Sequence, residues 1–283
     1  MACRSPDYRR MTTMNSGILS LPEAQYRAAE GISKSMLDWI APPKTPAHFK
    51  AKLDGLIPDE QTPAMRLGSM IHRAILEPET VAGAWVVKPE GMKFTTKEGK
   101  EWQAAQTLPI ITAAEADTIT GMRESVWSHP AVKRVLANAK TEVSLFANGE
   151  DGVLRKARID ALPDGGNVIV DIKSCQSADP DMMAKSVVSY RYDVQAAYYL
   201  DLCQLLGIDK SEFLFVCVEK TPPFAVAVYA LDQQAVEWGR KQYQRDLAAV
   251  RNCMAEDHWP SFTQEITTLA LPAWAQRQAE AVL

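Results

Sequence analysis

Two strand-like runs separated by a short glycine turn constrain the fold of this chain more than any other feature. Residues 153–162 (VLRKARIDAL) and 168–173 (VIVDIK) are rich in the apolar and β-branched residues that suit a buried strand. Gly165-Gly166 lies between them and is typical of a two-residue hairpin turn, because such turns need positive φ. The sequence therefore predicts an antiparallel hairpin in which the numbers of paired residues sum to 331.

This register places like charges opposite one another. Asp160 would face Asp171, and Arg158 would face Lys173. Directly opposed side chains have Cβ atoms about 4.5–5.5 Å apart, and like charges there are destabilising. A divalent cation between the two carboxylates would remove the conflict, and a site with few hard oxygen ligands favours Mg²⁺ or Mn²⁺. The alternative is a surface hairpin in which Asp160 forms a salt bridge with Arg158 or Lys173.

The remaining pattern predicts an α/β fold with a central mixed sheet, flanked by helices and preceded by a helical addition. We expect residues 1–30 to be weakly ordered and 31–283 to form one domain, with a helical part (31–140) and an α/β core (141–260). Helices are expected at 33–40, 63–76, 113–126, 129–139, 193–206 and 232–255. Strands are expected near residue 84 and at 142–146, 153–162, 168–173, 213–218 and 224–231.

Composition narrows the class of protein. Of 283 residues, 47% are hydrophobic and 23% charged, as in a globular chain without the roughly 18-residue apolar run of a membrane span. The five cysteines are scattered and never spaced C-x-x-C, which argues against a disulfide framework or a zinc or iron–sulfur site. With no secretion signal in the first residues, we expect a cytoplasmic protein without a membrane partner.

The net charge of −4 is unevenly distributed. Residues 1–100 carry 14 Lys and Arg against 11 Asp and Glu, whereas residues 201–283 carry 7 against 11. Local patches decide what a surface binds, so the overall charge does not exclude a nucleic-acid partner. A mixed solvated surface is the alternative interpretation.

Several short motifs accompany the hairpin. His72 belongs to a G-x-x-x-H pattern in LGSMIHRAILEP, Gln195 and Tyr199 form Q-x-x-x-Y in YDVQAAYYLDL, and Glu142 opens EVSLF. Together with Asp160 and Asp171-Ile172-Lys173, they resemble the RecB-type branch of the restriction-endonuclease-like, or PD-(D/E)XK, nuclease superfamily. The stretches ISKSMLDWI, LGSMIHRAILEPE and YRYDVQAAYYLD narrow the resemblance to the nuclease domain of the exodeoxyribonuclease VIII (RecE) family, over residues 31–260.

The resemblance implies a restriction-endonuclease-like core and a role for each motif residue. The ligands of one or two Mg²⁺ ions, which Mn²⁺ could replace, would be Asp160, Asp171, the carbonyl of Ile172, His72 and Glu142. Lys173 would orient or deprotonate the attacking water. Gln195 and Tyr199 would contact the DNA strand or brace Lys173. The structural alternatives are a histidine at the edge of an apolar stripe and a Gln–Tyr pair bonded within its helix.

Two further stretches are candidates for DNA contact. A basic loop within residues 84–102 carries Lys88, Lys93, Lys97 and Lys100, with Phe94 and Trp102 available to stack on bases. A mobile solvated loop would have the same composition. Ser33, Lys34 and Ser35 resemble a family stretch near the DNA channel.

The function implied by the resemblance is a Mg²⁺-dependent exonuclease on linear double-stranded DNA, acting 5′→3′ and leaving 3′ tails for a RecT-like annealing protein. The family assembles as a ring-shaped homo-oligomer, and we favour a tetramer over a trimer. One alternative is another RecB-type nuclease, CRISPR-associated or AddB-like, against which the scattered cysteines argue. A second is a DNA-end-binding module without turnover. The sequence contains no G-x-S-x-G, Walker A or H-E-x-x-H motif.

Overall fold

A computed structural model describes residues 16–263 and 265–280 of the chain. The strands in this part are β1 (Gly17–Leu19), β2 (Val86–Val87), β3 (Ile110–Ile111), β4 (Ala139–Asn148), β5 (Leu154–Pro163), β6 (Val168–Cys175), β7 (Glu212–Glu219) and β8 (Val226–Ala230). The helices are α1 (Glu23–Ala28), α2 (Lys34–Leu37), α3 (Pro46–Leu53), α4 (Pro63–Leu76), α5 (Lys97–Ala105), α6 (Ala113–Ser128), α7 (Pro130–Leu136), α8 (Pro180–Ser189), α9 (Tyr192–Leu205), α10 (Gln233–Glu256) and α11 (Ala273–Glu280).

Six strands form one twisted layer in the order β1-β4-β5-β6-β7-β8. The β6–β7 pair is parallel and the other neighbouring pairs are antiparallel. This confirms the predicted mixed sheet. The parallel pair needs a crossover, which α8 and α9 supply between β6 and β7.

Three apolar clusters place helices on both faces of the sheet. On one face, α4, α6 and α7 pack on β5, β6 and β7 through residues such as Ile75, Met122 and Val170. On the other face, α9 packs on β4, β5 and β7 through residues such as Ala196 and Phe215. A third cluster joins the outer side of α9 to α2 and α10. The open end of the β5–β6 hairpin therefore lies between α4 and α9.

Local capping explains why several elements begin where the sequence predicts. Thr62 accepts a hydrogen bond from the Met65 N–H and Pro63 occupies the first turn, so α4 starts there and runs to Leu76, as predicted. Asp232 accepts from the Ala235 N–H at 2.7 Å and starts α10. Ser33 caps α2 as predicted. The helix ends at Leu37, whereas we had expected it to continue to residue 40.

Residues 16–30 differ from the weakly ordered segment that we expected. Strand β1 pairs with β4 at the edge of the sheet, and α1 follows it. The buried Lys156 ammonium donates to the carbonyls of Tyr26, Arg27 and Ala29, which satisfies the last carbonyls of α1. A buried lysine far along the chain therefore holds this segment, and residues 1–15 lie outside the described part.

No helix in the described part is both long and apolar enough to cross a lipid bilayer.

The packing of α10 on α9 depends on a glycine. A Cβ added at Gly239 would overlap the backbone carbonyl of Asp193 on α9. Gly239→Ala should therefore destabilise the protein by roughly 1–3 kcal/mol, the usual cost of overpacking a close contact. Thermal or denaturant unfolding measures this loss.

The matched control is Gly165→Ala, where an added Cβ meets nothing within 4 Å. It should leave the free energy of unfolding nearly unchanged. Equal stability of the two variants would contradict the close approach of α9 and α10.

Candidate active site

The β5–β6 hairpin has the predicted register near its turn. Ala161 pairs with Val170, which confirms the sum of 331. The turn itself differs from the prediction: the strands end at Pro163 and begin again at Val168, and Gly166 has φ 72° whereas Gly165 does not lie in that region. A primed two-residue turn would need positive φ at Gly165, so a longer turn joins the strands.

Beyond that pair the two strands separate. A regular ladder with this register would pair Ile172 with Ile159, but the Ile172 N–H donates instead to Asp160 Oδ2 at 2.8 Å. The N–H and C=O of a strand residue point to the same edge, so the Ile172 carbonyl also faces the gap. Asp160 is not paired with Asp171 across this opening, nor Arg158 with Lys173, and our expectation that these residues face each other directly in the ladder is wrong.

Strand β4 is irregular at the same level. Its ladder to β5 pairs Thr141 with Ala161 and Val143 with Ile159, but skips Glu142 and Asp160. Glu142 has φ 54°, a left-handed conformation that is uncommon outside glycine. Glu142 therefore lies within β4, whereas we had expected it to open the strand. This local distortion brings the Glu142 carboxylate towards Asp160.

Helix α4 supplies a histidine to the same place. Ile71 and Ile75 on α4 are fully buried, which fixes the face that α4 turns to the sheet. His72 lies beside them, and its Nδ1 is 3.3 Å from Asp160 Oδ2. One ligand atom each from His72, Glu142 and Asp160 can be chosen so that all three lie within 4.8 Å of one another. The sequence prediction that these three residues share one site is consistent with this geometry.

Asp171, Lys173 and Gln195 form a second group beside the first. The Lys173 ammonium donates to Gln195 Oε1 at 2.9 Å and lies 2.7 Å from Asp171 Oδ2. The Gln195 amide nitrogen donates to Asp171 Oδ1. A single side chain from α9 therefore fixes both the carboxylate and the ammonium that end β6, which is the bracing role predicted for Gln195.

Burial and like charge decide the protonation of the site. Burial, together with the charge of Asp171, raises the pKa of Asp160 well above its usual range. Burial also lowers the pKa of His72, against the opposing effect of Asp171, so the imidazole is neutral at pH 7. Burial alone would lower the pKa of Lys173, but Asp171 and Asp160 outweigh it and the pKa is raised.

These donors fit a hard divalent cation. The one group of three metal-ligating side chains whose ligand atoms lie within 4.8 Å of one another in the described residues is His72, Glu142 and Asp160. Asp171 lies outside this group, because Gln195 donates to its Oδ1 and the Lys173 ammonium lies 2.7 Å from its Oδ2. The carboxylates of Glu142 and Asp160 supply the oxygen donors that Mg²⁺ and Mn²⁺ take, whereas the neutral imidazole of His72 is a donor type more usual for transition metals.

Tyr199 and the serines lie in more structural surroundings than we expected. The Tyr199 ring packs edge-to-face on Phe213 at 6.0 Å, and its hydroxyl makes no hydrogen bond with the described residues. Ser33 is buried as the cap of α2, and its hydroxyl lies 3.0 Å from that of the exposed Ser35. Contact of these residues with DNA stays a prediction.

The basic stretch is only partly a loop. Lys97 and Lys100 lie on α5, because Thr96 accepts from the Gly99 N–H and starts a helix there. Lys93, Lys97 and Lys100 are exposed, while the Lys88 ammonium lies 5.3 Å from the centre of the Phe94 ring. Phe94 itself stacks on Trp102, so these aromatic faces contact each other. The lysines remain candidates for phosphate contacts. Phe94 and Trp102 each have one ring face covered by the other, so that face is not free to stack on a base.

Sequence reasoning missed two residues of the site. The Lys173 ammonium lies 4.4 Å from the centre of the Tyr192 ring, and Arg158 donates to the Glu142 carboxylate. Tyr192 is three residues before Gln195 on α9, which is the spacing of one helical face. That spacing is a signal that could have found it. No comparable signal exists for Arg158, because its contact depends on the distortion of β4.

Comparison with known proteins agrees with this fold. Residues 33–271 match the family described as "PDDEXK-like domain of unknown function (DUF3799)". A crystal structure of a "Putative exonuclease" from Eubacterium rectale superposes with a TM-score of 0.62 at 15% identity, covering 91% of this chain and 98% of that one. SSO0001 covers 64% of this chain and 86% of its own at 16% identity, with a TM-score of 0.29 that is too low to compare folds. No curated protein matches the sequence. The predicted restriction-endonuclease-like core is thereby confirmed.

Removing the charge of Asp160 should stabilise the metal-free protein. Because its pKa is higher in the folded state than in the unfolded one, ionised Asp160 disfavours folding, and stability falls as the pH rises from the unfolded pKa towards the folded one. Asp160→Asn keeps an oxygen for the Ile172 N–H and should gain roughly 1–3 kcal/mol at pH 7 in chelator. The gain should shrink towards pH 4, and unfolding at both pH values measures it.

The matched control is Asp164→Asn, which alters an exposed carboxylate in the turn of the same hairpin. It should change stability little at either pH. Added Mg²⁺ should raise the melting temperature of the wild type but not of Asp160→Asn, because only the wild type binds the cation. A large loss of stability in metal-free Asp160→Asn would contradict the repulsion between the carboxylates.

Proposed function

The chain belongs to this PDDEXK-like domain family, and from that premise we propose that it is a metal-dependent deoxyribonuclease that degrades linear double-stranded DNA from an end. The observation that carries the proposal is the opening of the β5–β6 hairpin. It places the Asp160 carboxylate, which is 13% exposed, near the buried carboxylate of Asp171, and the Lys173 ammonium lies 2.7 Å from Asp171 Oδ2. A purely structural hairpin gains nothing from such an opening.

The ligands in this proposal are Asp160, Asp171, Glu142, His72 and the carbonyl of Ile172. Their hard donors support Mg²⁺ as the physiological ion, with Mn²⁺ able to replace it and with one or two ions in the site. When bound, such a cation supplies Lewis-acid stabilisation of the charge that develops on the scissile phosphate.

Lys173 places an ammonium in the site. Gln195 and Asp171 hold its ammonium, and the carboxylate surroundings raise its pKa in the metal-free protein. A protonated ammonium donates to a water or to a phosphate oxygen, and it lowers the energy of negative charge on the scissile group. We assign Lys173 to orienting or deprotonating the attacking water and to stabilising the phosphate.

The finer assignment rests on the motifs that resemble the RecE family. It comprises 5′→3′ polarity, 3′ single-stranded tails, a RecT-like annealing partner and a ring-shaped homo-oligomer with a tetramer favoured. The name of the Eubacterium rectale neighbour, which includes the word exonuclease, supports degradation from an end. The exposed ammonium groups of Lys93, Lys97 and Lys100 support contact with DNA phosphates.

A labelled-end assay tests the proposal. The protein is incubated with Mg²⁺ and a linear duplex labelled at the 5′ or the 3′ end, beside a covalently closed circle. Rapid release of the 5′ label from linear DNA alone, with Lys173→Ala at least roughly 100-fold slower, is the expected result.

Other outcomes would redirect the assignment. Rapid release of the 3′ label would reverse the polarity, and cutting of the circle would replace the exonuclease by an endonuclease. A folded wild type that binds ends but releases nothing with either Mg²⁺ or Mn²⁺ would favour a DNA-end-binding module instead.

Gln195 should act on turnover through the groups that it holds. Gln195→Ala removes one hydrogen bond from Lys173 and one from the buried Asp171, so their positions are held less firmly and kcat should fall roughly 10- to 100-fold. The control is Gln204→Ala, an exposed glutamine on the same helix, which should not change kcat. Unchanged kcat in a folded Gln195→Ala would remove Gln195 from the site.

A further inference from the structure

The junction between α8 and α9 builds an aromatic stack beside Lys173. The Tyr192 ring packs on Phe215 in the sheet, with ring centres 5.5 Å apart, and it faces the Lys173 ammonium at 4.4 Å. The Tyr190 ring stacks on the Tyr192 ring, with ring centres 5.5 Å apart and an angle of 29° between the planes. The Tyr190 side chain is 62% exposed, so the stack leads from the core to solvent.

The backbone around Tyr190 is held on both sides. The Tyr190 carbonyl accepts from the Lys34 ammonium at 2.8 Å, and the Tyr190 N–H donates to the backbone carbonyl of Ser186 on α8 at 2.9 Å. The next residue, Arg191, has φ 55° and binds Asp38 and the buried Asp246. A left-handed non-glycine residue persists only where its surroundings enforce it. The exposed ring is therefore presented by a rigid segment.

The position of the ring relative to the site suits one kind of ligand. The two measured separations place the Tyr190 ring no more than about 10 Å from the Lys173 ammonium. Successive bases of a strand rise about 3.4 Å, so this distance corresponds to one to three nucleotides from a phosphate at Lys173. Lys34, which donates to the Tyr190 carbonyl, is paired with Asp38 at 2.9 Å, so the edge of the stack carries paired charges.

We propose that Tyr190, supported by Tyr192, is a stacking site for a nucleobase of the DNA strand, one to three nucleotides from the scissile phosphate. The inference rests on the proposed nuclease function and adds a residue that positions the strand. Every base has a π face, so stacking there is tolerant of sequence, as a nuclease that degrades any end requires. The separation of the Tyr190 ring from the Lys173 ammonium, at most about 10 Å, favours a base of the bound strand as the occupant.

Substitution of the exposed ring tests the stacking. Tyr190→Ala should raise KM roughly tenfold with little change in kcat, while Tyr190→Phe should behave as the wild type because it keeps the ring. The matched control is Trp238→Ala, which removes an aromatic side chain of similar exposure on α10. It should leave both constants unchanged.

A substrate change and a binding measurement complete the test. On DNA with abasic nucleotides at the three positions beside the cleaved end, wild type and Tyr190→Ala should have equal KM. Without divalent metal, 2-aminopurine at these positions should lose fluorescence on binding the wild type and lose less on binding Tyr190→Ala.

The outcomes separate the inference from the nuclease function. An active wild type whose KM and fluorescence quenching are unchanged in Tyr190→Ala would overturn the stacking site alone. Absence of cleavage by the wild type, with quenching that depends on Tyr190, would overturn the nuclease function but support the stacking site. A tenfold effect that persists on abasic DNA would overturn the stacking site, because the ring would then act on something other than a base.

Discussion

The hydrogen bond from the Ile172 N–H to the Asp160 carboxylate is the interaction on which the rest of the site depends. It takes the place of a ladder bond to Ile159, so the hairpin is closed at Ala161–Val170 and open beyond. Opening the ladder leaves the Ile172 carbonyl facing the gap beside Asp160, while Gln195 and Lys173 hold the Asp171 carboxylate next to it. The distortion of β4 brings the Glu142 carboxylate to Asp160 and His72.

The charges around this gap explain its chemistry. Asp160 is buried beside Asp171, and this raises its pKa, whereas Lys173 is balanced by Asp171 and braced by Gln195. Arg158 is paired with Glu142 and Lys173 with Asp171, so Asp160 is the carboxylate of the site without a cationic side chain of its own among the described residues. The apolar contacts of α4 and α9 with the two faces of the sheet hold both groups in place.

Local sequence signals predicted the parts of this structure that have local causes. The hairpin register, the bounds of α4 and the cap of α10 follow from turn and capping residues within each segment. The opening of the hairpin has no periodic signature, because a side chain replaces one backbone acceptor and the apolar pattern on either side is unchanged. The position of α1 depends on the distant Lys156, which no local pattern predicts. Helices α3 and α8 were missed although Thr45-Pro46 and Asp179-Pro180 are helix-start signals.

The central claim is that the open hairpin holds a divalent cation between the carboxylates of Asp160 and Asp171. Anomalous scattering from a crystal soaked in Mn²⁺ tests it most directly, since the ion is located without any assumption about activity. The account predicts a peak within coordination distance, about 2.0–2.3 Å, of oxygens from both aspartates, and no peak there in Asp160→Asn. A well-ordered site without such a peak, or a peak bound only by other residues, would contradict the account.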